Sequence, residues 1–124
     1  FEEALRIRRE LQLPVFEHLG EARSRAITKG RIADILQELG KIDESLRIRR
    51  EEELPVLERL NEPRTLLVAR VNLAMNLLAR GTSEDRVEAG QLLRAALTVA
   101  RSLRTPDARE IEGIIRRHWP EGMR

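Results

Sequence analysis

This 124-residue chain repeats itself. Shifted by 41 residues, Glu3-Ala4-Leu5-Arg6-Ile7-Arg8-Arg9-Glu10 lies over Glu44-Ser45-Leu46-Arg47-Ile48-Arg49-Arg50-Glu51, and Leu13-Pro14-Val15 lies over Leu54-Pro55-Val56. Fourteen of the twenty-one positions from 3 to 23 are identical to their counterparts in 44–64. The match thins beyond Arg23 but keeps Ala33/Ala74, Leu36/Leu77 and Gly40/Gly81. A period of ~20–50 residues is the mark of stacked supersecondary units, each burying its apolar face on a neighbour. One segment is nearly copied and the other varies around fixed small and apolar positions. That division is expected of a helix pair in which one helix carries the inter-repeat contacts.

Apolar period and capping chemistry predict six helices and no strand. The first covers residues 2–19 and ends at Gly20, and the second runs from Ala22 to Leu39 with Gly40 in the left-handed position after it. Asp43 favours the start of the third helix, which continues to Leu60. Pro63 suits the first turn of the fourth, which Gly81 stops. Ser83 is the expected cap of the fifth, whose stripe is Ala89, Leu92, Leu93, Ala96, Leu97, Ala100 and Leu103. Thr105-Pro106-Asp107 opens the sixth, ended by Pro120. Pro14 and Pro55 fall inside helical patterns, where proline removes a hydrogen bond and costs ~3 kcal/mol. Their shared repeat position favours a bent but continuous helix over a break and restart.

These residues resemble the tetratricopeptide repeat family in a lengthened form. The pattern runs through a small residue (Ala33, Ala74), an apolar residue three on (Leu36, Leu77) and the turn glycine (Gly40, Gly81). It is followed by Ile42-Asp43-Glu44-Ser45-Leu46, and Phe1-Glu2-Glu3-Ala4-Leu5 matches the same run. The resemblance implies an all-α, right-handed helical-repeat solenoid of six antiparallel helices forming a single repeat domain over 1–124. In that reading 1–20 is the second helix of a truncated repeat, 21–61 and 62–104 are repeats, and 105–124 is a capping helix. Earlier repeats would then precede Phe1, leaving Leu5, Leu13, Phe16 and Leu19 partly uncovered, a possible route to self-assembly. The family's large apolar residue in the second helix is replaced by Arg8 and Arg49, and its first-helix aromatic by Lys29 or Arg70. An Arg–Glu ladder between successive copies is therefore expected, with arginine stems covering apolar surface.

Composition narrows the chemistry. The chain has no cysteine, so a disulfide framework or thiolate metal site is excluded. No segment reaches the ~20 apolar residues of a membrane span. His18 and His118 lie far apart, no histidine has metal-ligand spacing, and no glycine loop could cradle phosphate. Glu51-Glu52-Glu53 reads as solvated charge. A non-enzyme without cofactor or metal is expected. Residues 1–62 carry 12 basic and 14 acidic side chains, net −2, and 63–124 carry 11 and 7, net +4. Arg101, Arg104, Arg109, Arg116, Arg117 and Arg124 make the C-terminal part basic, which keeps nucleic-acid association as an alternative. Against it, Trp119 is the sole aromatic near that end able to stack on bases.

The resemblance implies a protein-interaction or scaffold module that takes a peptide or partner helix on its concave face. By analogy the inward positions are Ile27, Arg31, Asp34 and Glu38 on the second helix, and Val68, Asn72, Met75 and Asn76 on the fourth. Asn72 stands where the family places an asparagine that hydrogen-bonds a peptide backbone, and an amide offers such a chain both donor and acceptor. A cytoplasmic, multi-repeat parent is expected, and arginine bias with near-identical repeats points to a bacterial one.

Overall fold

A computed structural model describes residues 2–7 and 21–122, all the regular structure among them being helical. The elements are α1 (Glu2–Ile7), α2 (Ala22–Glu38), α3 (Ile42–Ile48), a π-helical stretch (Arg49–Glu53), α4 (Leu54–Leu60), α5 (Pro63–Arg80), α6 (Ser83–Leu103) and α7 (Asp107–His118). They form two compact units, Phe1–Glu62 and Pro63–Arg124. No helix among the described residues is long and apolar enough to cross a membrane.

In the first unit α2 packs against the continuous run formed by α3, the π stretch and α4. The hairpin turns at Gly40, whose φ of 81° lies in the left-handed region. Gly40 N–H donates to the Gln37 carbonyl and Lys41 N–H to the Leu36 carbonyl, the pairing of a Schellman turn that satisfies the last helical acceptors. Small residues let the two helices approach. Ala33 is fully enclosed, and the buried Ser45 donates its hydroxyl to the Ala33 carbonyl at 2.7 Å. Leu5 of α1 joins Ile32, Ala33, Leu36 and Ile48 in the core. Leu5 is therefore covered rather than exposed, because α2 supplies its neighbour. Leu13, Phe16, Leu19, Arg8, Pro14 and His18 lie outside the described residues.

Pro55 does not interrupt the third helix. The run is helical from Ile42 to Leu60, and the turn before the proline widens into π geometry, with Leu54 N–H bonding to the Arg49 carbonyl five residues back. An extra residue in that turn moves backbone away from the proline ring, which would otherwise meet the carbonyl four residues before it.

In the second unit α5 packs along α6, and α7 packs on α6. Ala74 and Leu77 are buried like Ala33 and Leu36, and Gly81 turns the chain at φ 78° as Gly40 does. The cap of α6 is Thr82, not Ser83. The Thr82 hydroxyl accepts from Asp85 N–H at 3.0 Å and the Asp85 carboxylate accepts from Thr82 N–H at 3.3 Å, closing a capping box. Arg80 donates to both oxygens of the same carboxylate at 2.7 Å and holds it well below the usual carboxylate range, with Thr82 adding to the effect. Helix starts keep the 41-residue spacing (Ile42, Ser83), but the buried face does not: Leu46 is in the core and its counterpart Val87 is exposed.

Replacing Gly40 by alanine should cost about 1 kcal/mol, since its left-handed conformation is strained for a residue with a Cβ. Among the described residues no neighbour lies within 4 Å of that Cβ, so the cost is conformational. Urea denaturation should show the loss, and Gly40→Asn should recover part of it.

Candidate interaction faces and the buried charge cluster

The α2 face expected to be inward carries Ile27, half-buried, and Arg31, Asp34 and Glu38, all exposed. Asp34 is tied to what lies beneath. Its carboxylate accepts from Arg49 Nη2 at 2.5 Å, and Arg49 is 1% exposed while the Asp34 side chain is 57% exposed. Arg49 Nη1 lies 3.5 Å from Oε1 of Glu53, itself only 6% exposed. Arg49 Nε and Nη1 have no hydrogen-bond partner among the described residues. Gly30 makes the arrangement possible. A Cβ there would collide with Glu53 Oε2, so the glycine in mid-helix α2, unfavourable by ~1 kcal/mol against alanine, leaves the room the carboxylate occupies.

This cluster belongs to a set of ion pairs running antiparallel along the hairpin. Arg23 Nε donates to both Glu62 oxygens at 2.8 Å, Lys29 Nζ meets Glu52 at 2.6 Å, and Arg49 meets Asp34. Lys29–Glu52 and Asp34–Arg49 link α2 to the run that follows it, and Lys41 reaches Glu2 of α1 at 3.5 Å; the arginines of the first copy, Arg8 and Arg9, lie outside the described residues. The expectation for Glu51-Glu52-Glu53 is corrected, since only Glu51 is exposed, Glu52 pairs with Lys29, and Glu53 is buried. Exposed members such as Arg23–Glu62 contribute under ~1 kcal/mol. The buried pair is different. Burial pushes the Glu53 carboxyl from 4.5 up to about 7, opposed by the Arg49 guanidinium and reinforced by Asp34.

On α5, Val68 is exposed and Asn72 and Met75 are half-buried on one face. Asn76 is not on it. It is fully enclosed at 0% exposure, together with Leu73 and Leu77, in the stripe that packs inside the unit. The i, i+4 spacing from Asn72 suggested a shared face, but rotation of 40° per four residues and the width of the packed side bring Asn76 under cover. Val68 and Asn72 line a cleft of about 80 Å³ with Leu67 and Val71, opposite Asp107, Glu110 and Ile111 of α7. Arg64 reaches Asp107 at 3.5 Å across its end. Sequence reasoning treated α7 only as a cap and missed its carboxylates. The signal lay in Ala108, Ile111, Ile114 and Ile115, whose spacing fixes the inner side of α7 and places Asp107 and Glu110 at its border.

At the other end of α7, Arg86 sits over the Trp119 ring, 4.7 Å from its centroid, and donates to the His118 carbonyl. His118 stacks edge-on against Trp119 at 6.1 Å. No protein-family model, curated protein or solved structure matches this chain.

Removing one member of the buried pair should be worse than removing both. Arg49→Leu leaves Glu53 without its cation and should destabilise the chain by ~3–5 kcal/mol, whereas Arg49→Leu with Glu53→Leu should recover most of the loss in thermal unfolding. Stability should also fall as pH rises from 4.5 to about 7, because there the folded chain holds a proton at Glu53 that the unfolded chain releases. The full loss is about 3 kcal/mol. Glu53→Gln should flatten that slope in urea titrations run across the interval.

Proposed function

We propose that the chain is a protein-interaction module of tetratricopeptide type, part of a right-handed helical-repeat solenoid in a larger bacterial, cytoplasmic protein. It takes a peptide or a partner helix along the faces of α2 and α5. The supporting observation is the cleft at which Val68 and Asn72 of α5 meet Asp107, Glu110 and Ile111 of α7. An aliphatic side chain fits a space of that size, and Asn72 at its edge offers a donor and an acceptor to a main chain. Within the first unit, Arg31 and Glu38 are exposed on α2 and offer polar contacts of their own. Asp34 is better read as a partner of Arg49 than as a ligand contact, and Asn76 is replaced in the set by the α7 carboxylates. The nucleic-acid alternative draws less support, since Trp119 is half-buried with Arg86 over its ring.

Peptides selected from a random library against the intact chain provide the test. Asn72→Ala should weaken the selected peptides about tenfold, the loss expected for one main-chain hydrogen bond in a partly dry site, with helicity by circular dichroism unchanged. Val68→Glu should do the same through the apolar contact. Binding indifferent to both substitutions would remove α5 from the interface.

A further inference from the structure

Arg86, Gly90 and Arg94 stand four residues apart on α6 and so form one row along the helix. With Val87, Gln91 and Trp119 they line a groove of about 490 Å³, within the ~300–1,000 Å³ of ordinary ligand sites. Among the described residues no carboxylate lines it. Glu84 and Glu88 border a separate hollow on the other side of Val87. Gly90, a residue type unfavourable in mid-helix, leaves no side chain on the row between the two guanidinium groups. At Gly30 the room beside a mid-helix glycine takes a carboxylate, that of Glu53. Arg86 is already fixed. Its guanidinium lies over Trp119, 4.7 Å from the ring centroid, and one amino group donates to the His118 carbonyl. Its other N–H groups are unengaged among the described residues, and the exposed Arg94 has no carboxylate partner there.

We infer that this groove binds an acidic peptide, whose carboxylates meet Arg86 and Arg94 over Gly90 while an aliphatic side chain between them rests on Val87 and Trp119. A guanidinium takes a carboxylate through two parallel hydrogen bonds, and one held flat on an aromatic ring loses less freedom in doing so. Val87 is 63% exposed, so covering it removes apolar surface from water. The net charge of +4 on residues 63–124 attracts an anion at longer range. A nucleic-acid strand carries the same sign of charge, but it needs an aromatic face to stack on, and Trp119 is half-buried beneath Arg86. The groove shares no lining residue with the α5–α7 cleft and stands independently of the reading given to that cleft.

Trp119 is the chain's sole tryptophan, so its fluorescence reports on the groove. Titrating the intact chain with the blocked pentapeptide Glu-Leu-Glu-Leu-Glu should give a saturable change in emission, matched in calorimetry and weakening as salt rises. The glutamine analogue Gln-Leu-Gln-Leu-Gln should bind about tenfold more weakly or worse, having lost the charge-assisted bonds. Arg94→Gln should weaken the acidic peptide about tenfold, with circular dichroism and unliganded emission unchanged. Arg94→Glu should weaken it further by repulsion. No saturable response by either method overturns the inference. So does equal binding of the glutamine analogue, or an acidic peptide indifferent to Arg94→Gln. An oligothymidine that binds more tightly than the peptide and is lost with Arg94 overturns it as well, and assigns the groove to nucleic acid.

Discussion

A guanidinium withdrawn almost completely from water requires compensation wherever it sits, and Arg49 obtains it from two carboxylates of unequal burial. Asp34 reaches in from the surface of α2, and Glu53 comes from one turn further along the same helical run. The arrangement constrains its surroundings in turn. Gly30 must lack a side chain so that the Glu53 carboxylate can lie against α2. The π turn that accommodates Pro55 also spans Arg49–Glu53, so the proline and the charge cluster share one local distortion. Buried ion pairs are weak sources of stability but costly to break singly.

The two units use the same hairpin chemistry with different fillings. Ala33 and Ala74 permit close approach, and Gly40 and Gly81 turn the chain with left-handed backbones. In the first unit the seam between helices is charged, from Arg23–Glu62 through Lys29–Glu52 to Arg49–Asp34. In the second, charge is pushed to the ends. Arg80, Thr82 and Asp85 lock the start of α6, while Arg86 clamps Trp119 at the end of α7.

Helix starts, stops and the main core positions were legible because they depend on local chemistry. The turn glycines, Pro63, the first-turn acids and the apolar stripes all act within a few residues, and the 41-residue period identified Ala33, Ala74, Leu36 and Leu77 as packing positions. Where two neighbouring residues could both serve, as Thr82 and Ser83 at the start of α6, the choice went to the one whose hydroxyl meets Asp85 N–H. Such ties are settled by backbone angle, which a string of letters does not carry.

What the sequence determined alone was therefore the helical class, the hairpin punctuation and the repeat, since each follows from spacing along the chain. Only the tertiary structure decided which charges are buried and what they face. Glu53 and Glu51 are two residues apart in one acidic run, yet one lies against Gly30 and the other in solvent. Asn72 and Asn76 are one turn apart, yet one borders a cleft with α7 and the other is enclosed. Burial is a property of the neighbouring helix as much as of the residue, and that neighbour is distant in sequence.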